Sequence, residues 1–270
     1  MNINDYLQRI NYSGSREPNE ETLRSLQVAH LRSVPFENLS IHAGEPIVLN
    51  DGALFKKIVE KRRGGFCYEV NGLFAALLRA LGFEVTMLAA GVAKDSRSDG
   101  KTPLIISDLT ENDFGPIFDH MTLMVTLTYR WLVDVGFGDS FLEPLLLDAR
   151  SEQFQDDRAF KIVEMGDDLV LLRRNPGEEW TAQYRFNLEP HEYVDYEEMC
   201  RYHQTSPDSH FTRAPLCSLP TEDGRITLSD IKLITTSDSS HTRNEQALSE
   251  KQYEEVLKEK FGIVMKEGDE

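Results

Sequence analysis

Apolar residues recur at helical spacing up to residue 83 and at alternating spacing from residue 84 to about residue 190. Leu23, Leu26 and Leu31 follow Pro18 and a run of acidic residues at roughly helical spacing. Asp51 is a candidate N-cap for a further helix, with Leu54, Phe55, Ile58 and Val59 as its apolar face. The clearest stripe is Val70, Leu73, Phe74, Leu77, Leu78 and Leu81, at i, i+3, i+4, i+7, i+8 and i+11. Gly82 stands where a terminal glycine should end this helix. Gly64 and Gly65 stand just before it, so the pattern predicts a helix that begins at or near Cys67.

The period then changes. Val85 to Val92 is a strand candidate. The polar stretch from Lys94 to Asp119 reads as a long loop, interrupted by Leu104-Ile105-Ile106. Met121, Leu123, Val125 and Leu127 alternate with Thr122, Met124, Thr126 and Thr128, which is a period-two strand. Trp131 to Val135 predicts its partner, closed by Gly136-Phe137-Gly138. A hairpin around Gly166-Asp167 and the alternation of Trp180, Ala182, Tyr184 and Phe186 continue the pattern. After Pro190 the chain reads as helical to about Gln204, and Asp223-Gly224 signals another hairpin. Ser249 and Gln252 match a capping box for a last helix, which Gly262 ends, and the tail from Lys266 to Glu270 reads as disordered. Helices, then antiparallel strands, then a mixed segment make an α+β layout and not a βαβ one.

Composition narrows the function classes. The formal net charge of −17 favours solubility and argues against a nucleic-acid or anionic-membrane partner. One basic run, Lys61-Arg62-Arg63, reads as a solvated helix end. The N-terminus lacks the basic start and apolar core of a signal peptide, and no apolar run is long enough to cross a bilayer. Three cysteines are few and odd in number, which predicts a reducing, cytoplasmic setting. At 270 residues the core is large enough to need neither a disulfide nor a metal staple, and no metal site is expected.

Candidate chemistry starts at Cys67. A cysteine attacks as thiolate, and a free thiol with a pKa near ~8.5 is only slightly ionised at neutral pH. The partial positive charge of a helix N-terminus lowers that value, and two preceding glycines let backbone approach a substrate. Cys200 and Cys217 lack this context and read as structural. A thiolate also needs a base and a group that holds the base. Of seven histidines, His120 opens a strand, and Asp134 lies near the end of the next one. An aspartate between Val133 and Val135 needs a partner for its charge. The hairpin register stays open. A two-residue turn at Tyr129-Arg130 puts His120 and Asp134 on opposite faces; a three-residue loop or a bulge restores one face but offsets them.

Several segments resemble a known family. Arg63-Gly64-Gly65-Phe66-Cys67-Tyr68-Glu69-Val70-Asn71 is similar to the active-site signature of the arylamine N-acetyltransferases, of the bacterial type. His120-Met121-Thr122-Leu123 and Asp134-Val135-Gly136-Phe137-Gly138 resemble the segments that hold that family's histidine and aspartate. Val34-Pro35-Phe36-Glu37-Asn38-Leu39, Ser206-Pro207-Asp208-Ser209-His210-Phe211 and Asp223-Gly224-Arg225 resemble further landmarks. The resemblance implies a three-part fold: a helical bundle over residues 1–83 carrying the nucleophile, a β-barrel-like domain over 84–190 carrying the histidine and aspartate, and an α/β lid over 191–270 ending in a helix. It implies a Cys67–His120–Asp134 triad on a core shared with papain-like proteases and transglutaminases. It also implies acetyl-CoA as co-substrate, no permanently bound cofactor, and arylamines, arylhydrazines or arylhydroxylamines as acceptors. Phe36 and Phe137 would line the acceptor pocket, with ordinary core packing as the alternative, and Gly136 and Gly138 would let the CoA arm pass. His120 lies 53 positions after Cys67, a longer interval than the family leads one to expect, with the extra length assigned to the 94–119 loop.

Two other functions use the same residues. One is a thiol hydrolase or amide-forming enzyme on the same triad. The other is a non-enzymatic binder of CoA or aromatic ligands, against which the presence of all three triad residues argues.

Overall fold

The computed structural model describes residues 1–94 and 109–265. The expected apolar interruption at 104–106 and the disordered tail at 266–270 lie outside the described residues. No described helix is long and apolar enough to cross a membrane.

The N-terminal part is helical, as its periodicity predicts. It contains α1 (Ile3–Arg9), α2 (Glu20–Ser33), the two-residue strand β1 (Phe36–Glu37), the short α3 (Leu39–His42), α4 (Asp51–Phe55) and α5 (Cys67–Ala80). The N-cap of α4 is Asn50 and not Asp51: Asn50 Oδ1 accepts from the Ala53 N–H at 2.8 Å, and Asp51 is the first helical residue. Both side chains can cap; Asn50 has the extended backbone that the cap position needs. The helix then widens into a π-helical turn over Lys56–Glu60. Arg9 fastens this layer, donating to the carbonyls of Ser33, Ile58, Arg62 and Arg63.

Cys67 is the first residue of α5, and Gly82 follows the helix with φ of +93°. Val70, Leu73, Phe74, Leu77 and Leu78 are buried in one cluster with Met87 and Ala89 of β2 (Glu84–Val92) and Met121, Leu123 and Val125 of β3 (His120–Thr126). The alternate residues Leu88 and Ala90 belong to a second cluster on the other face, so this part of the sheet is covered on both sides.

The strands β4 (Arg130–Val133), β5 (Leu145–Leu146), β6 (Gln153–Gln155), β7 (Arg158–Met165), β8 (Asp168–Arg174) and β9 (Thr181–Phe186) complete an eight-stranded antiparallel sheet in the order β5-β4-β3-β2-β9-β8-β7-β6. It curls until its two end strands meet, as a barrel does. Two glutamine side chains, in place of a backbone ladder, join the ends. Leu146 N–H donates to Gln153 Oε1 at 2.8 Å, and Gln153 Nε2 donates back to the Leu146 carbonyl at 3.0 Å. Gln155 Oε1 accepts from the N–H groups of Leu142 and Glu143, and its Nε2 donates to the Glu143 carbonyl. Phe141, Phe160, Ile162, Leu171, Tyr184 and Phe186 fill the inside.

The helix α6 (Tyr193–Thr205) leads to a second sheet of β10 (Leu216–Thr221), β11 (Gly224–Ser229), β12 (Lys232–Ser237) and β13 (Thr242–Ala247), and the chain continues into α7 (Glu250–Phe261). The hairpin at Asp223-Gly224 is present, with Thr221 paired to Gly224. Ser249 and Gln252 cap α7 reciprocally, and Gly262 ends it with φ of +67°. β1 pairs with β10, so residues near the N-terminus form one edge of this sheet. Cys217, Ile226 and Leu228 pack with Leu257 and Phe261 of α7. The opposite face carries Leu216, Ser218, Arg225 and Thr227, which line a cavity at the start of α5.

Candidate active site

Three structural elements meet at the N-terminus of α5. The loop before it is locked by a buried ion pair: Arg63 Nε donates to Glu37 Oε1 at 3.0 Å and Arg63 Nη2 to Glu37 Oε2 at 3.3 Å. Glu37 also accepts from the N–H groups of Gly64 (3.2 Å) and Leu39 (2.6 Å). Burial alone would raise its carboxyl, but Lys57, Arg63 and these hydrogen bonds hold it below the usual carboxylate range. Arg63 is therefore not the solvated helix end that the basic run suggests; it is buried, and its charge is matched. Gly64 and Gly65 serve packing and not substrate approach. A side chain at Gly64 would run into the Pro35 carbonyl, and one at Gly65 into Glu69. Glu69 Oε2 accepts from the Phe66 N–H at 3.2 Å, which satisfies one orphan donor at the helix start.

Cys67 is buried and lines a cavity of about 330 Å³ together with Phe36, His120, Gly136, Phe137 and Gly138. Burial pushes its thiol well above the ordinary value. The lowering expected from the helix N-terminus is outweighed, because desolvation of a thiolate is the larger effect in a closed site.

His120 is placed by the β3–β4 hairpin. Thr126 pairs with Arg130 and Leu123 with Val133, leaving Leu127, Thr128 and Tyr129 as a three-residue loop closed by the Leu127 N–H on the Tyr129 carbonyl. One further step of this register sets Asp134 opposite Thr122, two residues from His120 and on the same face. Such a diagonal is within reach of long side chains. His120 Nε2 lies 2.6 Å from Asp134 Oδ2. An ionised carboxylate only accepts, so this contact puts the ring hydrogen on Nε2 and leaves Nδ1 as the proton acceptor. The ring is flanked by Phe137 and Tyr184, at centroid distances of 5.2 and 5.1 Å.

Asp134 is held from three sides. Asn71 Nδ2 donates to Oδ1 at 2.9 Å and the Gly136 N–H donates to the same oxygen at 2.8 Å, while His120 takes Oδ2. Burial raises this carboxyl, but His120, Asn71 and Gly136 together hold it below its usual value. Asn71 also donates to the Met121 carbonyl and accepts from the Val135 N–H, so one amide ties α5 to both strands. Asn71 stands in the motif around Cys67, but the sequence alone assigns it no role. Its signal was the spacing: i+4 from Cys67 puts it one turn along the same helix face.

Phe36 pairs with Ser218 across β1–β10 and stands beside Gly138, which has φ of +90°. A side chain at Gly136 would come within 2.8 Å of the Cys67 Cα and 2.7 Å of Asn71 Nδ2, so the hairpin end lies directly on the Cys67 backbone.

A family model described as N-acetyltransferase matches residues 20–269. The chain is 35% identical to arylamine N-acetyltransferase of Mycolicibacterium smegmatis, over 97% of this chain and 92% of the relative. It is also 35% identical to human arylamine N-acetyltransferase 1, over 97% and 94% of the two chains. The chain belongs to the arylamine N-acetyltransferase family. Its fold is that of the solved members. The Mycobacterium marinum arylamine N-acetyltransferase in complex with CoA superposes with a TM-score of 0.82 at 32% identity, covering 97% of this chain and 93% of that one. The expected α+β architecture, with its barrel-like sheet and transglutaminase-like core, is thereby borne out.

Proposed function

We propose that Cys67, His120 and Asp134 form the catalytic triad of an acetyl-CoA-dependent arylamine N-acetyltransferase. The observation that carries this reading is the 2.6 Å His120–Asp134 contact on the wall of the cavity that holds Cys67. Family membership supplies the reaction. The related M. marinum structure was solved with CoA, which supports the donor.

The reaction runs in two halves. The Cys67 sulfur attacks the acetyl-CoA carbonyl as its proton passes to His120 Nδ1. The tetrahedral intermediate collapses, and the CoA sulfur leaves with that proton. One thioester has replaced another, so no deep energy well traps the acetyl-cysteine. An arylamine, arylhydrazine or arylhydroxylamine then attacks it, gives its proton to His120, and Cys67 leaves as the thiol. Asp134 keeps the imidazole in one orientation and stabilises its charged form. Positioned proton transfer of this kind contributes about 10²–10⁴-fold. Amides at the start of α5, including that of Cys67, have no intrahelical partner and supply the oxyanion donors. Phe36 and Phe137 form aromatic walls of the acceptor site, and Gly138 leaves room beside Phe36 for the pantetheine arm. All three cysteines are unpaired, which fits a reducing cytoplasm.

The test is incubation with acetyl-CoA in the absence of amine, followed by mass spectrometry of the intact protein. One acetyl group on Cys67 is expected, missing from Cys67→Ala and discharged by an added arylamine. Release of free acetate with no lasting adduct would instead make the protein a hydrolase.

A further inference from the structure

The turn that leads into His120 holds a residue it does not suit. The Asp119 N–H donates to the Pro116 carbonyl at 3.2 Å, which closes a β-turn over Pro116, Ile117, Phe118 and Asp119. Phe118, in the third position, has φ of +71°, and Ile117 stays out of that region. This is the pattern of a type II turn, whose third residue is normally Gly or Asn because a Cβ crowds the backbone there. A bulky side chain in that place is a backbone outlier and needs support from outside the turn.

Support comes from two helices. On one side the Phe118 ring packs edge-on against His191 at 4.8 Å and against Tyr196 of α6 at 5.2 Å, and Asp119 Oδ1 meets His203 Nε2 at 3.0 Å. On the other side Tyr68 Oη donates to the Phe118 carbonyl at 2.6 Å. Among the described residues this is the turn's one hydrogen bond to α5. Tyr68 directly follows Cys67 and is fully buried, wedged among Phe66, Tyr196 and His203. Burial pushes its phenol well above the ordinary value, so the hydroxyl keeps its proton and acts as a neutral donor.

The helix that carries Cys67 therefore grips the chain of His120 from both directions. Tyr68 holds the carbonyl two residues before the histidine, and Asn71 holds the Met121 carbonyl one residue after it, at 2.6 Å. His120 itself opens β3 and pairs with Ala90 of β2. Downstream, the ladder shares the work of Asn71. Upstream, a phenylalanine that would relax out of the left-handed region is held there across the gap between Cys67 and His120.

We propose that Tyr68 is a positioning residue, whose hydroxyl holds Phe118 in its left-handed conformation and so sets the His120 imidazole against the Cys67 sulfur. This rests on the triad proposed above and names the group that fixes its spacing.

Two measurements on the native protein, Tyr68→Phe, Phe118→Gly and the double variant test it. Alkylation of Cys67 by iodoacetamide, followed across pH by peptide mass spectrometry, reads how closely the imidazole serves the sulfur. Single-turnover acetylation by acetyl-CoA reads the same relationship in the reaction. Alkylation of the buried Cys217 in the same samples reports any opening of the fold. Tyr68→Phe changes no charge, because the thiol still faces His120, Asp119, Asp134, His210, Arg225 and Cys200. It is expected to move the Cys67 alkylation profile to higher pH and to slow acetylation about ten- to a hundredfold. The KM for acetyl-CoA and the Cys217 alkylation rate should stay within about twofold of native. Glycine takes positive φ freely, so in the Phe118→Gly background losing the hydroxyl should cost less than about threefold. A Tyr68→Phe protein with the native profile and rate, or an equal loss in both backgrounds, would overturn the assignment. Alkylation needs no acyl donor. A shifted profile in a protein that takes no acetyl group from acetyl-CoA would uphold the positioning role and count against the transfer reaction.

Discussion

Asp134 reaches His120 diagonally across the β3–β4 hairpin, standing opposite Thr122 and closing a two-residue offset with a 2.6 Å contact. The three-residue loop at Leu127–Tyr129 makes that diagonal possible. Removing one loop residue would turn Asp134 to the other face. The His120–Asp134 contact therefore depends on a loop several residues away from it.

Asp134→Asn should leave the fold intact and nearly abolish acetylation of Cys67. The amide can present N–H to the imidazole and favour the wrong tautomer, an effect worth about 10³–10⁴-fold. Stopped-flow measurement of CoA thiol release in a single turnover checks this. A loss of less than about tenfold would mean that Asp134 does not orient His120.

Asn71→Ala removes the donor to Asp134, the donor to Met121 and the acceptor for Val135. Leaving these buried groups unpaired should cost about 2–4 kcal/mol. Urea unfolding should show a lower midpoint with an unchanged slope. Activity should fall further than stability accounts for, because the Asp134 carboxylate loses one of its three holders.

Glu37→Gln should destabilise the protein by about 3–5 kcal/mol, since it leaves the buried Arg63 guanidinium with only the half-exposed Glu45 carboxylate, at 3.5 Å, as its ion-pair partner. The double variant Glu37→Gln with Arg63→Met should recover part of that loss. Calorimetric melting of the three variants distinguishes a matched charge pair from simple packing. Recovery to no better than the single variant would rule the pair out as the cause.

Asp139 is ringed by Arg225, Arg158 and Arg173. Its side chain is 45% exposed, and these cations bring its carboxyl down to about 2. Its folded value lies below the unfolded one, so its contribution to stability is present above about pH 4 and is lost as pH falls toward 2. Melting temperatures recorded from pH 5 to pH 2 should fall less steeply for Asp139→Asn than for the native protein. Equal slopes would show that the carboxylate does not drive acid sensitivity.

The sequence made some of this architecture readable and hid the rest, for physical reasons. The α5 stripe and Gly82 fixed the helix that carries Cys67, because a buried helix must repeat its apolar face. The alternation from Met121 to Leu127 gave β3 in the same way. β13 carries no such signal: Thr242 to Ala247 are exposed throughout, so that strand follows from pairing with β12 and not from a buried face. β1 is two residues long and exists because β10 lies on one side of it and Gly65 bridges to it on the other. The hairpin register was open in the sequence because residue types at Thr128, Tyr129 and Arg130 fit more than one turn. The role of Asn71 is hidden because a polar residue inside a motif does not announce which atoms it will meet. The place of Arg63 depended on Glu37, which lies 26 positions away.

The glutamine seam between β5 and β6 bears on how the molecule ages. Gln153 and Gln155 each use both ends of the amide, one oxygen and one nitrogen, to saturate backbone groups of Leu146 in β5 and of Leu142 and Glu143 just before it. Hydrolysis of either amide to a carboxylate would remove the donor and set negative charge against a carbonyl. The sheet would gain an open rim able to recruit a strand from a neighbouring molecule. Slow chemical damage at two side chains would then surface first as self-association in storage.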